Sequence, residues 1–225
     1  MSAHAWVETA DATCEQLFFA YLGSRVDLQE RIQAFRDAGD LRAAATTAVE
    51  GYGPEVFGFL VAVLRNETDA SDAFAQTCED MWRGFEGFKG RCTVRTWLYT
   101  LARHAAVRLR RSPHGKKQRR VPLSEVSDIA ERVRSDTQRH LRTSAKDKLS
   151  FIRASLDEDD QSLLILRVDR NMSWADIALI ESPFDASDDD LARTAARLRK
   201  RYELLKKRVK ALASKVGLVS DREEI

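Results

Sequence analysis

Proline and glycine are scarce, at 4 and 10 of 225 residues. That scarcity argues against turn-rich all-β and low-complexity chains and leaves room for long helices. Cysteine occurs three times, as Cys14, Cys78 and Cys92, with no C-x-x-C pair. An odd, unpaired set excludes a disulfide framework and a cysteine zinc site, and fits free thiols in a reducing cytosol. The four histidines, His4, His104, His114 and His140, are scattered, so no metal site is expected. The chain has no P-loop, no Gly-x-Gly-x-x-Gly, no His-Glu-x-x-His and no nucleophile–base–orienter set. Catalysis is therefore not expected, and no cofactor is called for. The first residues lack the basic and apolar regions of a signal peptide. The longest apolar run, "VFGFLVAVL", is too short to span a bilayer, so no membrane partner is expected.

What is present is charge in blocks. The formal net charge is only +2. Yet from Arg83 to Arg120 twelve bases face the single acid Glu86, a local +11. From Leu156 to Asp190 eleven acids face Arg167 and Arg170, a local −9. From Leu191 to Lys215 ten bases face Glu203, a local +9. Solvated helix faces usually mix signs. Two basic blocks flanking an acidic one point instead to two surfaces for a polyanion.

The apolar spacings are mostly helical, which makes the expected fold class all-α: two small helical domains joined by a flexible linker. Residues 1–40 hold apolar groups for two short helices (Leu17, Phe18, Tyr21 and Leu22; then Leu28, Ile32 and Phe35) and no chemical motif. "DAGD" breaks the chain before a first domain over 41–112. There Pro54 is expected in a first helical turn. A helix from about Thr68 carries Asp72, Gln76, Glu79 and Arg83 opposite its apolar stripe. Thr93 is an expected N-cap. The helix after it has Val94, Trp97, Leu98, Leu101 and Ala105 on one side, and Arg95, Tyr99, Arg103 and Arg108 on the other. Residues 113–150 read as a basic linker, and 216–225 as a tail. A second domain over 151–215 begins with acids at a helix start. Capping-box spacings follow at Ser173/Asp176 and Ser187/Asp190. The last helix carries the stripe Leu191, Ala195, Leu198, Tyr202, Leu205, Val209 and Leu212. The order helix, short helix, turn, basic helix is the outline of a helix-turn-helix. A coiled-coil seam on that stripe fits less well, because acids are almost absent beside it.

Arginine and lysine neutralise phosphates. Aromatics beside them stack on unpaired bases, and a basic helix after a turn enters the major groove. Trp97 lies on the apolar stripe and is expected in the core. Tyr99, opposite, is balanced between core packing and stacking.

"FKGRCTVRTWLYTLARHAAVRLRR", from Phe88 to Arg111, closely resembles conserved region 2 of bacterial extracytoplasmic-function sigma factors of the sigma-70 family. "ASDAFAQTCEDMW" is similar to the segment that precedes it in that family. "LDEDDQSLLILRVDRNMSWADIA" is similar to region 4. The resemblance covers about residues 41–111 and 151–212. It implies a protein that binds core RNA polymerase, directs it to promoter DNA and helps open the duplex, with an anti-sigma factor as a further partner the family admits. By position, it implies that Asp72, Gln76, Glu79 and Arg83 contact the polymerase. The loop Phe88, Lys89, Arg91, Cys92 and Thr93 would capture a flipped base of the −10 element. Arg95, Thr96, Tyr99, Arg103, His104 and Arg108 would lie along −10 DNA. Arg193, Thr194, Arg197, Lys200 and Arg201 would read the −35 element. Before that last helix stands "IESPFDASDDD", longer and more acidic than the family's tight turn. Two other readings stand beside this one: a helix-turn-helix regulator that binds duplex DNA unaided, and a helical scaffold assembled through the C-terminal seam.

Overall fold

The computed structural model describes residues 27–111, 128–135, 152 and 155–215. Among them there is no strand. Helix α1 spans 27–37, α2 Leu41–Leu64, α3 Glu67–Gly84 and α4 Val94–Arg111; α5 covers 128–135. Helix α6, Glu158–Leu164, runs into a π-helical turn, Ile165–Asp169. Helix α7 is Trp174–Glu181 and α8 is Asp188–Lys215. The all-α expectation holds. Of the two short helices expected in the first 40 residues, the second is α1. The first, over Leu17–Leu22, lies outside the described residues.

Local chemistry sets most of the helix starts. Asp40 accepts from Ala43 N at 2.9 Å to open α2, after a turn in which Gly39 takes φ +76°. Asn66 accepts from Asp69 N at 3.0 Å to open α3. Thr93, as expected, accepts from Thr96 N at 3.1 Å to open α4. Both serines cap their helices: Asp176 N donates to Ser173 Oγ at 3.1 Å, and Asp190 N to Ser187 Oγ at 3.2 Å, where Ser187 N completes the box by donating to Asp190 Oδ2 at 3.3 Å. Each such oxygen satisfies an amide the helix itself leaves unpaired. Asn171 takes φ 49° at the end of the π turn, a left-handed position that asparagine tolerates better than branched residues.

Pro54 corrects the sequence reading. It lies inside α2, which begins 13 residues earlier, at Leu41, rather than opening a helix. An interior proline removes one backbone bond and crowds the carbonyl four residues back, at about 3 kcal/mol. Here tertiary burial outweighs that cost. Tyr52, Val56, Phe57, Phe59 and Leu60 on both sides of Pro54 are buried at 3% exposure or less, and each such side chain contributes roughly 1.5–3 kcal/mol.

Helices α2, α3 and α4 pack on one another. Phe57 meets Phe74 edge-on at 5.4 Å, and Phe59 meets Tyr99 edge-on at 5.4 Å. By length and composition α2 is apolar enough to cross a membrane, and here it is the central core helix of this bundle. Helix α5, within the stretch read as a linker, brings Ile129, Ala130 and Val133 into the same core. A Cβ added at Gly53 would lie 2.9 Å from Val133 Cγ1, so the glycine allows this close approach.

The C-terminal helices build their core from Leu163, Ile165, Leu166, Ile177, Ile180, Leu198 and Leu205, and it is continuous with that of the first bundle. Helix α7 lies against α4, and α6 against α2. Arg65, in a left-handed conformation at the end of α2 (φ 52°), joins the two parts. Its guanidinium donates to Leu156 O at 2.5 Å and to Gln161 Oε1 at 3.0 Å. Phe59→Ala removes a fully buried ring from the α2–α4 contact, and is expected to lower unfolding free energy by about 3–5 kcal/mol; chemical denaturation checks this.

Candidate nucleic-acid interface

The loop between α3 and α4 is built on a stack of rings and one cation. Phe88 stacks on Trp97 with centroids 4.7 Å apart and planes 20° off parallel, and Phe85 meets Trp97 edge-on at 5.7 Å. From α1, Arg36 sits 5.1 Å from the Phe88 ring centre and donates to Phe88 O at 2.9 Å. The stack anchors the start of the loop. Gly90, at φ +71°, then turns the chain so that Lys89 and Arg91 stay exposed. Cys92 is half-buried; burial, with Asp176 adding to it, pushes its thiol up to about 11, so it stays protonated and unreactive. Thr93 is committed to the α4 cap. Loop and turn together flank a cleft of about 830 Å³, with Phe88, Lys89, Arg91 and Trp97 on one side and Leu179, Pro183, Phe184 and Leu191 on the other.

Most of the polar side of α4 is covered, and only its C-terminal end, at Arg108 and Arg111, is exposed. The α6–α7 part of the molecule covers it. Arg95 pairs with Glu55 at 2.5 Å and lies 5.5 Å from the Tyr99 ring centre. Thr96 Oγ1 donates to Asp176 Oδ1 at 2.9 Å. Tyr99 is fully buried against Phe59, and desolvation pushes its phenol well above the usual range. Arg103 is 8% exposed and pairs with Glu181 at 3.0 Å and Asp159 at 2.8 Å. His104 reaches Ser182 O at 3.1 Å and packs edge-on to Phe184 at 4.2 Å. Arg108 is exposed and pairs with Asp80 of α3.

The other two residue sets lie elsewhere. On α3, Asp72 and Arg83 are exposed, and Gln76 is half-buried and bonded to Asp80 at 2.9 Å. Glu79 is recessed to 4% exposure, 3.5 Å from Arg83. On α8, the stripe read from sequence faces inward through Ala195, Leu198 and Leu205. Arg193, Arg197 and Lys200 point outward and Thr194 is partly covered. Arg193 pairs with Asp190 at 2.7 Å. Arg201 is held by three carboxylates: Asp160 at 2.6 Å, Asp157 at 2.9 Å and Asp159 at 3.5 Å.

Arg36, Asp159 and Glu181 carry no signal of these contacts in the sequence, and Asp176 reads there only as part of a helix cap. Nothing in the spacing around Arg36 signals the loop 52 residues later. The acidic run before α6 was visible, but read only as a helix start. Asp157 does cap α6, accepting from Asp160 N at 2.8 Å; the same run also supplies counter-ions for two other helices.

A family model described as "Sigma-70 region 2" matches residues 48–115, from the middle of α2 through the loop and α4. The RNA polymerase sigma factor YlaC of Bacillus subtilis (strain 168) is 27% identical over 130 residues, 57% of this chain and 74% of that protein.

His104 links this covered face to pH. Burial holds its imidazole below the ordinary value; Arg108 and Arg103 push the same way, and the Ser182 carbonyl and Glu181 push back. The unfolded imidazole takes up a proton near pH ~6.5 while the folded one resists. This contribution to stability is therefore complete above that pH and is lost as pH falls toward the folded value. Thermal melts from pH 8 to 5 should show a declining midpoint below about pH 6.5, and His104→Asn should flatten that decline. An equal decline in the variant would remove His104 as its source.

Proposed function

We propose that the chain is a sigma factor of the sigma-70 family, of the extracytoplasmic-function type, and that its parts divide the work of starting transcription as follows. Core RNA polymerase and promoter DNA are the partners the family implies, and the role is that of a non-enzymatic regulator of initiation. The observation that carries the reading is the overlap of the region 2 match with the ring-and-cation loop and the basic helix behind it.

In this reading residues 41–112 bind polymerase and the −10 element, 113–150 connect, and 151–215 read the −35 element. Asp72, Gln76, Glu79 and Arg83 meet the polymerase, with Glu79 orienting Arg83 from below. The loop from Phe88 to Thr93 captures a flipped base. Its rings at Phe88 and Trp97 are already stacked on each other, which favours Lys89 and Arg91 for phosphates and the cleft beside them for the base. Arg95, Thr96, Tyr99, Arg103, His104 and Arg108 follow the strand once α4 is uncovered. Arg193, Thr194, Arg197, Lys200 and Arg201 enter the −35 major groove. Cytoplasmic residence follows from the polymerase partner, and an anti-sigma factor is a candidate further partner. A stand-alone helix-turn-helix regulator is not favoured, because it has no need of the loop and α4.

The test is transcription in vitro with purified core polymerase and a randomised promoter library. Defined start sites that depend on the chain are expected; failure to bind core, where a known sigma factor does, would overturn the reading. A finer prediction concerns the loop. Lys89→Ala/Arg91→Ala alters two exposed side chains and should leave stability within about 0.5 kcal/mol. It should lower open-complex formation on duplex DNA and make the log–log salt dependence shallower by roughly 1–2 units. An unchanged salt slope would remove both residues from the phosphate contacts.

A further inference from the structure

Helix α1 reaches the loop between α3 and α4 through one side chain. Ile32, fully buried, and Leu28 seat α1 on the first bundle. Leu28 lies so close to Gly51 of α2 that a Cβ there would crowd it. Helical spacing then lines up Asp37, Gln33 and Arg36 on one side of α1. Gln33 Nε2 donates to Asp37 Oδ1 at 2.7 Å, and Gln33 Oε1 accepts from Arg36 Nη1 at 3.1 Å. So oriented, Arg36 Nη2 donates to Phe88 O at 2.9 Å, and the guanidinium lies 5.1 Å from the Phe88 ring centre and 6.0 Å from that of Phe85. Phe88 is held on three sides: its N–H donates to Phe85 O at 3.2 Å, Arg36 takes its carbonyl, and its ring stacks on Trp97. Among the described residues, none from Lys89 to Cys92 makes a backbone–backbone hydrogen bond. The next anchor is the Thr93 cap of α4.

We propose that Arg36 is a positioning residue for the base-capturing loop, so that helix α1 takes part in opening the promoter. This rests on the function proposed above, and adds to it a helix that lies before the region 2 match at 48–115. A short span fixed only at its ends takes its shape from those ends. Thr93 sets one end and belongs to α4. Phe88 sets the other, and Arg36 ties it to a third helix. A charged donor holds a carbonyl more strongly than a neutral one, and the same cation faces the ring. The wall of the cleft that carries Lys89 and Arg91 is thereby formed before DNA arrives. A flipped base then meets it without the entropy cost of ordering the loop. This favours the melting step and not the first encounter, because intact duplex presents phosphates and no unpaired base.

Two measurements on the full chain test it, with Arg31→Ala as control. Arg31 is exposed on the same helix, and its loss makes the same change in charge. The first is amide hydrogen exchange of the free chain by NMR. Gly87 N and Phe88 N donate to Gly84 O and Phe85 O; Arg36→Ala is expected to speed exchange at both by roughly tenfold and to leave α2, α3 and α4 unchanged. The second is the kinetics of open-complex formation, with core polymerase and a promoter selected by the unaltered chain. Arg36→Ala is expected to slow the isomerisation step about tenfold, with initial binding and the salt slope unchanged. Arg36→Lys keeps a charged donor and should recover the rate to within about threefold. Should Arg36→Ala fail to fold, Gln33→Ala, half-buried and one bond removed from Phe88, serves in its place with a smaller shift in the same direction. Unchanged exchange at Gly87 and Phe88, or an isomerisation rate no slower than that of the control, would overturn the proposal. So would a shallower salt slope, which would make Arg36 a phosphate contact. Absence of polymerase-dependent transcription by the unaltered chain would instead overturn the proposed function, and the exchange result would still read whether Arg36 fixes the loop.

Discussion

Arg103 imposes the central constraint. Helix α4 must turn Val94, Leu98, Leu101 and Ala105 into the α2–α3 bundle, and the remaining side of the helix then carries arginines toward whatever covers it. A guanidinium reduced to 8% exposure cannot stand unpaired; leaving one member of such a buried pair without the other costs about 3–5 kcal/mol. The structure answers with Glu181 from α7 and Asp159 from the segment before α6, so the docking of the C-terminal part is tied to the charge of α4. The same rule repeats at Arg95 with Glu55, and at Arg201 with Asp157 and Asp160. Apolar contact alone would not select this arrangement, because a continuous core could form with α7 rotated about α4. The ion pairs fix which carboxylate meets which arginine, and so fix the register of the two parts.

Local features of the fold were legible in the sequence, and long-range pairings were not. Thr93, Ser173 and Ser187 announce helix starts because a cap depends only on the next three residues. The stripe on α8 is likewise a matter of helical period. Pro54 misled because proline is weighed locally, while the aromatic burial around it is tertiary. The charge blocks are the instructive intermediate case. Their signs and positions were plain, and they suggested two surfaces for one polyanion. The acidic block between them reads from sequence as a separator and a helix start; in the folded chain it is also the partner of both neighbours. Which arginine meets which carboxylate is set by pairs 41 to 78 residues apart in sequence, such as Arg201 with Asp160 and Arg103 with Glu181. Helical spacing holds no record of these.

The aromatic residues of the basic segment divide along the same line. Phe88 lies in the loop and Trp97 on α4; the structure stacks them and adds Arg36 from α1, 52 residues before Phe88. Tyr99 was balanced between core and interface, and the balance reflects a real duality: its ring packs on Phe59 while its helix face is the one covered by α7. A residue on the border between two packed parts reads from sequence as neither clearly inside nor clearly outside. The Tyr99 ring is buried chiefly against Phe59 of α2, inside the first bundle.

The ion pairs bear on how DNA would bind. In the folded chain the arginines at positions 103, 110, 201 and 208 are already neutralised by carboxylates. Binding DNA would exchange one anion for another, so those contacts gain only the difference between phosphate and carboxylate pairing, together with the counterions released from the DNA. The freed carboxylates regain water and screening cations, which offsets part of that release. Lys89, Arg91, Arg193 and Arg197 carry no such carboxylate across the α4–α8 junction and stay on the exposed surface. An anion that takes Arg103, Arg110, Arg201 and Arg208 must instead displace carboxylates already seated on them.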